Sequence, residues 1–112
     1  MPVRTKRVYE PPAKDDGYRV LVDRVWPRGL SRERAALDEW ARELAPSAEL
    51  RKWFAHKPER FDEFGRRYRE ELRAHQQELD ALRKRKGTVT LLFGARDTEH
   101  NNAVVLAEVL RK

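Results

Sequence analysis

Tyr18-Arg19-Val20-Leu21-Val22-Asp23-Arg24 is the stretch on which the fold turns. Its Val-Leu-Val centre is apolar at successive positions rather than alternate ones. Side chains alternate between the two faces of a strand, so this centre expects apolar cover on both faces. That is the pattern of a strand inside a parallel sheet sandwiched by helices. Downstream, Thr88-Val89-Thr90-Leu91-Leu92-Phe93 is a second such run, β-branched and apolar, closed by Gly94. The intervening segments have helical spacing, so the two strands pair in parallel through a right-handed crossover. Upstream, Val3 to Tyr9 reads as a shorter strand of mixed character, set off by the breakers Pro11-Pro12 and Asp16-Gly17. The expected fold class is α/β, a small three-layer-like domain. Its short, mostly parallel three-stranded sheet covers residues 3–9, 18–24 and 88–93.

Helices are expected at residues 32–45, 47–54, 58–84 and 98–111. Ser31 and Ser47 are placed to cap the first two, because a serine oxygen can accept one of the free N–H groups of a first turn. Pro58 suits the first turn of the third. In that third helix Phe61, Phe64, Tyr68, Leu72, His75, Leu79 and Leu82 recur every three or four residues, a stripe that docks on something apolar. Gly87 terminates it. The last helix has Asp97 or Thr98 as its cap. Its run through Ala103, Val104, Val105, Leu106, Ala107, Val109 and Leu110 is apolar nearly all round and should be largely buried.

A chain of 112 residues is read as a single domain over 1–112. There is no cysteine, which excludes disulfides, thiolate catalysis and Cys-ligated metals. No apolar run approaches the roughly 20 residues that span a bilayer, so no membrane partner is expected. Met1–Lys6 lacks the apolar core of a signal peptide, and the cytoplasm is the expected location. The formal net charge of +6 raises nucleic acid as a partner. Much of that charge, however, is Arg interleaved with Glu, the composition of a solvated helix face. The local excess gathers in Arg83-Lys84-Arg85-Lys86, where cations also complement the carbonyl end of a helix.

Two polar clusters follow the two apolar strands, and in parallel sheets ligands collect beyond the carboxyl ends of strands. In Asp23-Arg24-Val25-Trp26-Pro27-Arg28-Gly29, Asp23 could serve as a base, and Arg24 and Arg28 could fork onto a phosphate or carboxylate. The competing reading is an Asp–Arg pair that fixes the loop, with Trp26 as its apolar anchor. In Gly94-Ala95-Arg96-Asp97-Thr98-Glu99-His100-Asn101-Asn102, free N–H groups at a helix start, together with Arg96, would attract an anion. His100 and Asn101 could face the same cleft. Against this, Asp97 or Thr98 could occupy those donors as a cap.

Tyr68 is first a core residue, but with Arg67 it is also placed to reach a cleft. The catalytic candidates are Asp23, Asp97 and His100, with His100 the group of suitable titration range. The anion-binding candidates are Arg24, Arg28, Arg96, Asn101 and Tyr68. His56, His100, Asp97 and Asp23 could form a His/Asp site of the kind that suits zinc or iron, but nothing in their spacing demands a metal, and the cofactor is unknown. Ser31 and Ser47 read as caps, and neither sits in a nucleophile elbow.

The strings Lys6-Arg7-Val8-Tyr9, Asp16-Gly17 through Arg28-Gly29, Trp40 with Glu43-Leu44-Ala45-Pro46-Ser47, Leu50-Arg51-Lys52-Trp53-Phe54, and Leu91-Leu92-Phe93-Gly94-Ala95-Arg96-Asp97 with His100-Asn101 are distinctive together. They resemble the YeaO-like family, a branch of the bacterial and archaeal domain of unknown function numbered 488 (DUF488). The resemblance covers essentially the whole chain and implies a compact α/β domain. It brings no reaction with it. The expected function is therefore binding of a small anionic or phosphorylated ligand at the strand ends, with enzymatic turnover left open. The alternatives are a nucleic-acid accessory protein using the basic long helix, and a structural or protein-interaction module without a ligand. Oligomeric state is open.

Overall fold

The computed structural model describes residues 2–112. Four strands, β1 (Val3–Arg7), β2 (Tyr18–Leu21), β3 (Glu39–Trp40) and β4 (Val89–Phe93), form one sheet in the order β1-β4-β2-β3. Every pairing is parallel. Five α-helices accompany them: α1 (Arg32–Ala35), α2 (Ala48–Phe54), α3 (Phe61–Leu72), α4 (Gln76–Arg83) and α5 (Asn102–Arg111).

β4 lies between β1 and β2, with Val89 opposite both Val3 and Tyr18. This central place accounts for its uninterrupted burial. Alternation then divides its side chains. Val89, Leu91 and Phe93 join Val20 and Val22 in the larger core, beneath α2, α3, α4 and α5. Leu92 and Leu21 point the other way, into a smaller core with Val8 and Ala35, covered by Trp26, Leu30, Leu37 and Trp40. Each such side chain stabilises the fold by roughly 1.5–3 kcal/mol through its removal from water.

The sheet has one strand more than the three expected. β3 lies inside residues 32–45, the stretch expected to be helical. One turn of α-helix and a 3-10 turn at Arg42–Leu44 form there, with Ser31 capping the first by accepting from Arg34 N at 3.1 Å. Ala36 then adopts a left-handed conformation (φ 49°), and the chain runs alongside β2. Asp38 makes this possible: its carboxylate accepts from Arg19 N at 2.8 Å, and its own N–H donates to Arg19 O at 2.9 Å. Trp40 then packs edge-on to Trp26, with ring centroids 5.2 Å apart. Ladder bonds and tryptophan burial outweigh the helix propensity of the alanines here.

The stripe of the long helix is correct, but the helix is not continuous. Phe64, Tyr68, Leu72, Leu79 and Leu82 are all buried, while a 3-10 turn at Arg73–His75 divides 58–84 into α3 and α4. Both halves pack on α5. Residues 58–60 are likewise a separate 3-10 turn. The last helix starts at Asn102 rather than at 98. Its cap is Asn101, whose side chain accepts from Val104 N at 3.0 Å. Asp97 instead closes a turn of its own, accepting from Glu99 N and His100 N.

Candidate functional site

Because the strands are parallel, the chain leaves β1, β2 and β4 at the same edge of the sheet. A cleft of about 430 Å³ opens there. Tyr9 lines it beyond β1, Asp23 to Arg28 beyond β2, and Gly94 and Ala95 beyond β4. Asn101 and Asn102 reach it from the start of α5, and Arg51, Phe54, His56, Phe64 and Pro46 close the far wall.

Asp23 sits at the inner end. Its Oδ2 accepts from Gly94 N at 2.8 Å and its Oδ1 from Asn102 Nδ2 at 3.2 Å. The same amide donates to Val22 O at 2.8 Å, so one asparagine ties α5 to the end of β2. A Cβ on Gly94 would stand 3.3 Å from Asp23 Oδ2, tighter than an ordinary contact, so glycine keeps this approach open. Burial pushes the Asp23 carboxyl above its ordinary value, against the pull of the Gly94 and Asn102 hydrogen bonds and of positive charge at Arg51 and His56.

This shift has a sign. A carboxyl whose pKa is raised on folding holds its proton more readily in the native state, so stability falls as pH rises from the unfolded value to the folded one. Asp23→Asn removes that titration. The wild type should therefore lose Tm relative to Asp23→Asn as pH rises from about 4 upward, starting at the ordinary aspartate range. Paired thermal melts across that range check this, and a constant difference between the two proteins would contradict it.

The cations of the cleft are held in different ways. Arg24 is clamped: its Nε donates to Pro46 O at 3.1 Å and its NH2 to Ala45 O at 3.5 Å. Arg28 extends from a loop whose carbonyl at Arg28 accepts from Tyr9 OH at 2.9 Å. Arg51 projects from α2, which Ser47 caps through Leu50 N at 3.1 Å. After α2, Ala55 and His56 are both left-handed (φ 49° and 55°), each at a cost of roughly 1–2 kcal/mol. This reversal carries His56 to the rim of the cleft. Among the described residues, no carboxylate lies within 4.0 Å of the Arg28 or Arg51 guanidinium.

The chain matches, over residues 2–112, the family described as "Inactive DUF488-N3 subclade". It is 46% identical over 113 residues to the uncharacterised protein YeaO of Escherichia coli (strain K12), covering 99% of this chain and 98% of that protein. It belongs to the YeaO-like DUF488 family. A further relative, the uncharacterised protein Rv3073c of Mycobacterium tuberculosis (strain ATCC 25618 / H37Rv), is 47% identical over 110 residues, 96% of this chain and 92% of its own. No solved structure matches the chain.

In this YeaO-like domain the expected site residues divide. Asp23, Arg24, Arg28 and Asn101 line the cleft, and Arg96, Asp97, His100 and Tyr68 do not. Asn101 is buried, and its side chain is occupied by Val104 N and by Asp97 O. Arg96 is exposed. Asp97 pairs with His100 Nδ1 at 2.9 Å, and hydrogen bonds from Glu99 N and from His100 hold its carboxyl below the ordinary range. The His100 ring stands edge-on to Phe61, 5.2 Å between centroids. Tyr68 is fully buried and donates its hydroxyl to Leu44 O. Burial, with the negative charges of Asp23 and Glu71, pushes that hydroxyl up.

Arg51, Asn102 and Tyr9 were not offered by the sequence as site residues, and His56 only as a possible metal ligand. Asn102 lay in the quoted string after β4, so position could have drawn attention to it. Arg51 carries no local signal, because its role depends on where α2 docks. Among the described residues, no cluster of three His, Asp or Glu side chains is placed to hold a metal ion. Among the described residues, no helix is long and apolar enough to cross a membrane.

The arginines of α3 and α4 have acidic partners, whereas among the described residues Lys84, Arg85 and Lys86 have no carboxylate within 4.0 Å. Arg66 and Arg67 share Glu63, whose carboxyl they hold down at about 2. Arg69 pairs with Glu108, and Arg73 with Glu70. Arg83 pairs with Asp80, and its NH2 donates to Val109 O near the end of α5. Arg85 lies over the Tyr18 ring, 3.4 Å from its centroid.

Proposed function

We propose that the protein binds a small anionic ligand, bearing a phosphate or carboxylate group, in the cleft at the carboxyl ends of its strands. One observation carries this reading: among the described residues, three arginines and a histidine line a cleft with a single carboxylate, and that carboxylate already accepts from Gly94 and Asn102. Among the described residues Arg28 and Arg51 have no carboxylate within 4.0 Å, whereas the arginines of α3 and α4 have one each or share one. The same pairing weakens the case for a nucleic-acid face on the long helices, since counterion release needs cations free to meet phosphates. Binding is favoured over turnover. Asp97 and His100 engage each other away from the cleft, and the matching family is described as an inactive subclade.

The test is titration of the protein with inorganic phosphate and ribose 5-phosphate at low salt, read by thermal shift and calorimetry. A ligand selective for the folded state raises the midpoint with its concentration. Each charge-assisted hydrogen bond contributes about 1.5–3 kcal/mol, so the Arg28→Ala/Arg51→Ala double variant should lose at least about tenfold in affinity. If neither anion shifts the wild-type midpoint at millimolar concentration, the reading is wrong.

A further inference from the structure

The two ends of the cleft offer opposite hydrogen-bonding chemistry. At the inner end both N–H groups of the Asn102 amide are engaged, by Val22 O and Asp23 Oδ1, and Gly94 N is engaged by Asp23 Oδ2. These acceptors also fix the orientation of the amide, with nitrogen towards them and oxygen away. What this end still presents is acceptors: Asn102 Oδ1 and the remaining lone pairs of Asp23. No buried side-chain polar atom lacks a partner among the described residues, so the Asn102 oxygen, which accepts from no protein donor, is open to the cleft or to water. The rim offers the reverse, since Arg24, Arg28 and Arg51 can only donate. Trp26, Phe54 and Phe64 add an apolar lining, of which Phe54 and Phe64, 5% and 2% exposed and stacked on each other with ring centroids 4.4 Å apart, present only a small part.

We infer that the ligand is a nucleoside monophosphate whose base carries an exocyclic amino group, with that amino edge turned to Asp23 and Asn102 and its phosphate turned to the arginine rim. This rests on the anion reading above and narrows it. A simple anion would leave the acceptor end facing water. A ring with an amino edge satisfies the acceptors, its apolar body adjoins the Trp26 side of the cleft, and its phosphate meets the guanidinium groups. The cleft, at about 430 Å³, falls within the common range of small-molecule sites, roughly 300–1,000 Å³.

Calorimetry with matched pairs tests this. Cytidine and uridine monophosphates differ at one amino or oxo group, as do adenosine and inosine monophosphates. The amino-bearing member of each pair should bind at least about tenfold tighter, because an oxo group would set acceptor against acceptor. In Asp23→Asn, whose amide can donate, the ratio within each pair should fall towards one or invert. Its melting curve reports whether that variant is folded, and the wild-type comparison stands without it. Equal affinities within both pairs, with ribose 5-phosphate still bound, overturn the inference and leave the anion reading in place. If ribose 5-phosphate and all four nucleotides fail to bind, both fall.

Discussion

Arg19→Met should destabilise the protein by about 3–5 kcal/mol, the usual cost of removing one partner from a buried ion pair. Arg19 and Asp16 are only 5% and 2% exposed, and Arg19 NH1 meets Asp16 Oδ2 at 2.5 Å. The same guanidinium donates from Nε to Ala36 O at 3.0 Å and from NH2 to Ala35 O at 2.7 Å. It therefore holds the short α1 turn, and the way into β3, against the sheet. Methionine keeps much of the volume but leaves two carbonyls without their donor and Asp16 with Lys6 as its one remaining cationic partner. For a domain of this length the expected fall in Tm is about 10 °C or more.

The pH dependence distinguishes this mechanism from lost packing. Burial raises the Asp16 carboxyl, but hydrogen bonds from Ala13 N, Lys6 and Arg19 outweigh it and hold the carboxyl below its ordinary value. A carboxyl depressed in this way contributes stability above the unfolded pKa and loses it as pH falls through the folded one. The difference between wild type and Arg19→Met should therefore be largest near neutrality and shrink in acid. Urea melts at several pH values read both quantities. A loss under about 1 kcal/mol at neutral pH would mean that the network is not what holds this corner.

Gly17→Ala should be comparably severe, at about 3 kcal/mol or more, for a reason that involves no charge. Gly17 has φ 65° and ψ −130°, a conformation that L side chains rarely adopt. A Cβ there would lie 2.2 Å from Thr88 O and 3.0 Å from Thr88 C. Thr88 O accepts from Tyr18 N at 2.9 Å, and Thr90 Oγ1 donates to Asp16 O at 2.6 Å. The methyl group would thus push apart the first rung between β2 and β4, at the centre of the sheet. Gly87→Ala is the control. Its φ is 82°, but nothing lies within 4 Å of its Cβ position, so it should cost only the left-handed backbone term, about 1 kcal/mol. Equal losses at the two sites would show that backbone conformation, and not the contact with Thr88, sets the effect.

Signals that act over a turn or two of chain were legible without coordinates. Val20-Leu21-Val22 and Val89 to Phe93 declared strands covered on both faces, and both are buried throughout. Ser31 and Ser47 cap the helices they precede. The stripe from Phe64 to Leu82 identified the docking face of the long segment, and parallel pairing followed from the order of elements. Each of these depends on periodicity, on a cap, or on connection rules that hold for any chain. The tertiary structure decided the rest. Glu39–Trp40 is a strand because Asp38 and Ala41 bond to Arg19 and Leu21 of β2, far back in the sequence, and no local pattern in 32–45 reports that pairing. The helix after Gly94 starts late because buried Asn101 takes the cap, which turns Asp97 and His100 towards each other and away from the cleft. Arg51 and His56 enter that cleft only because α2 packs on α3 and sends Leu50 and Phe54 into the core that holds Val22. The polar cluster after β2 could be read from the chain; its neighbours could not, since side chains from separate crossovers meet only when the helices have packed.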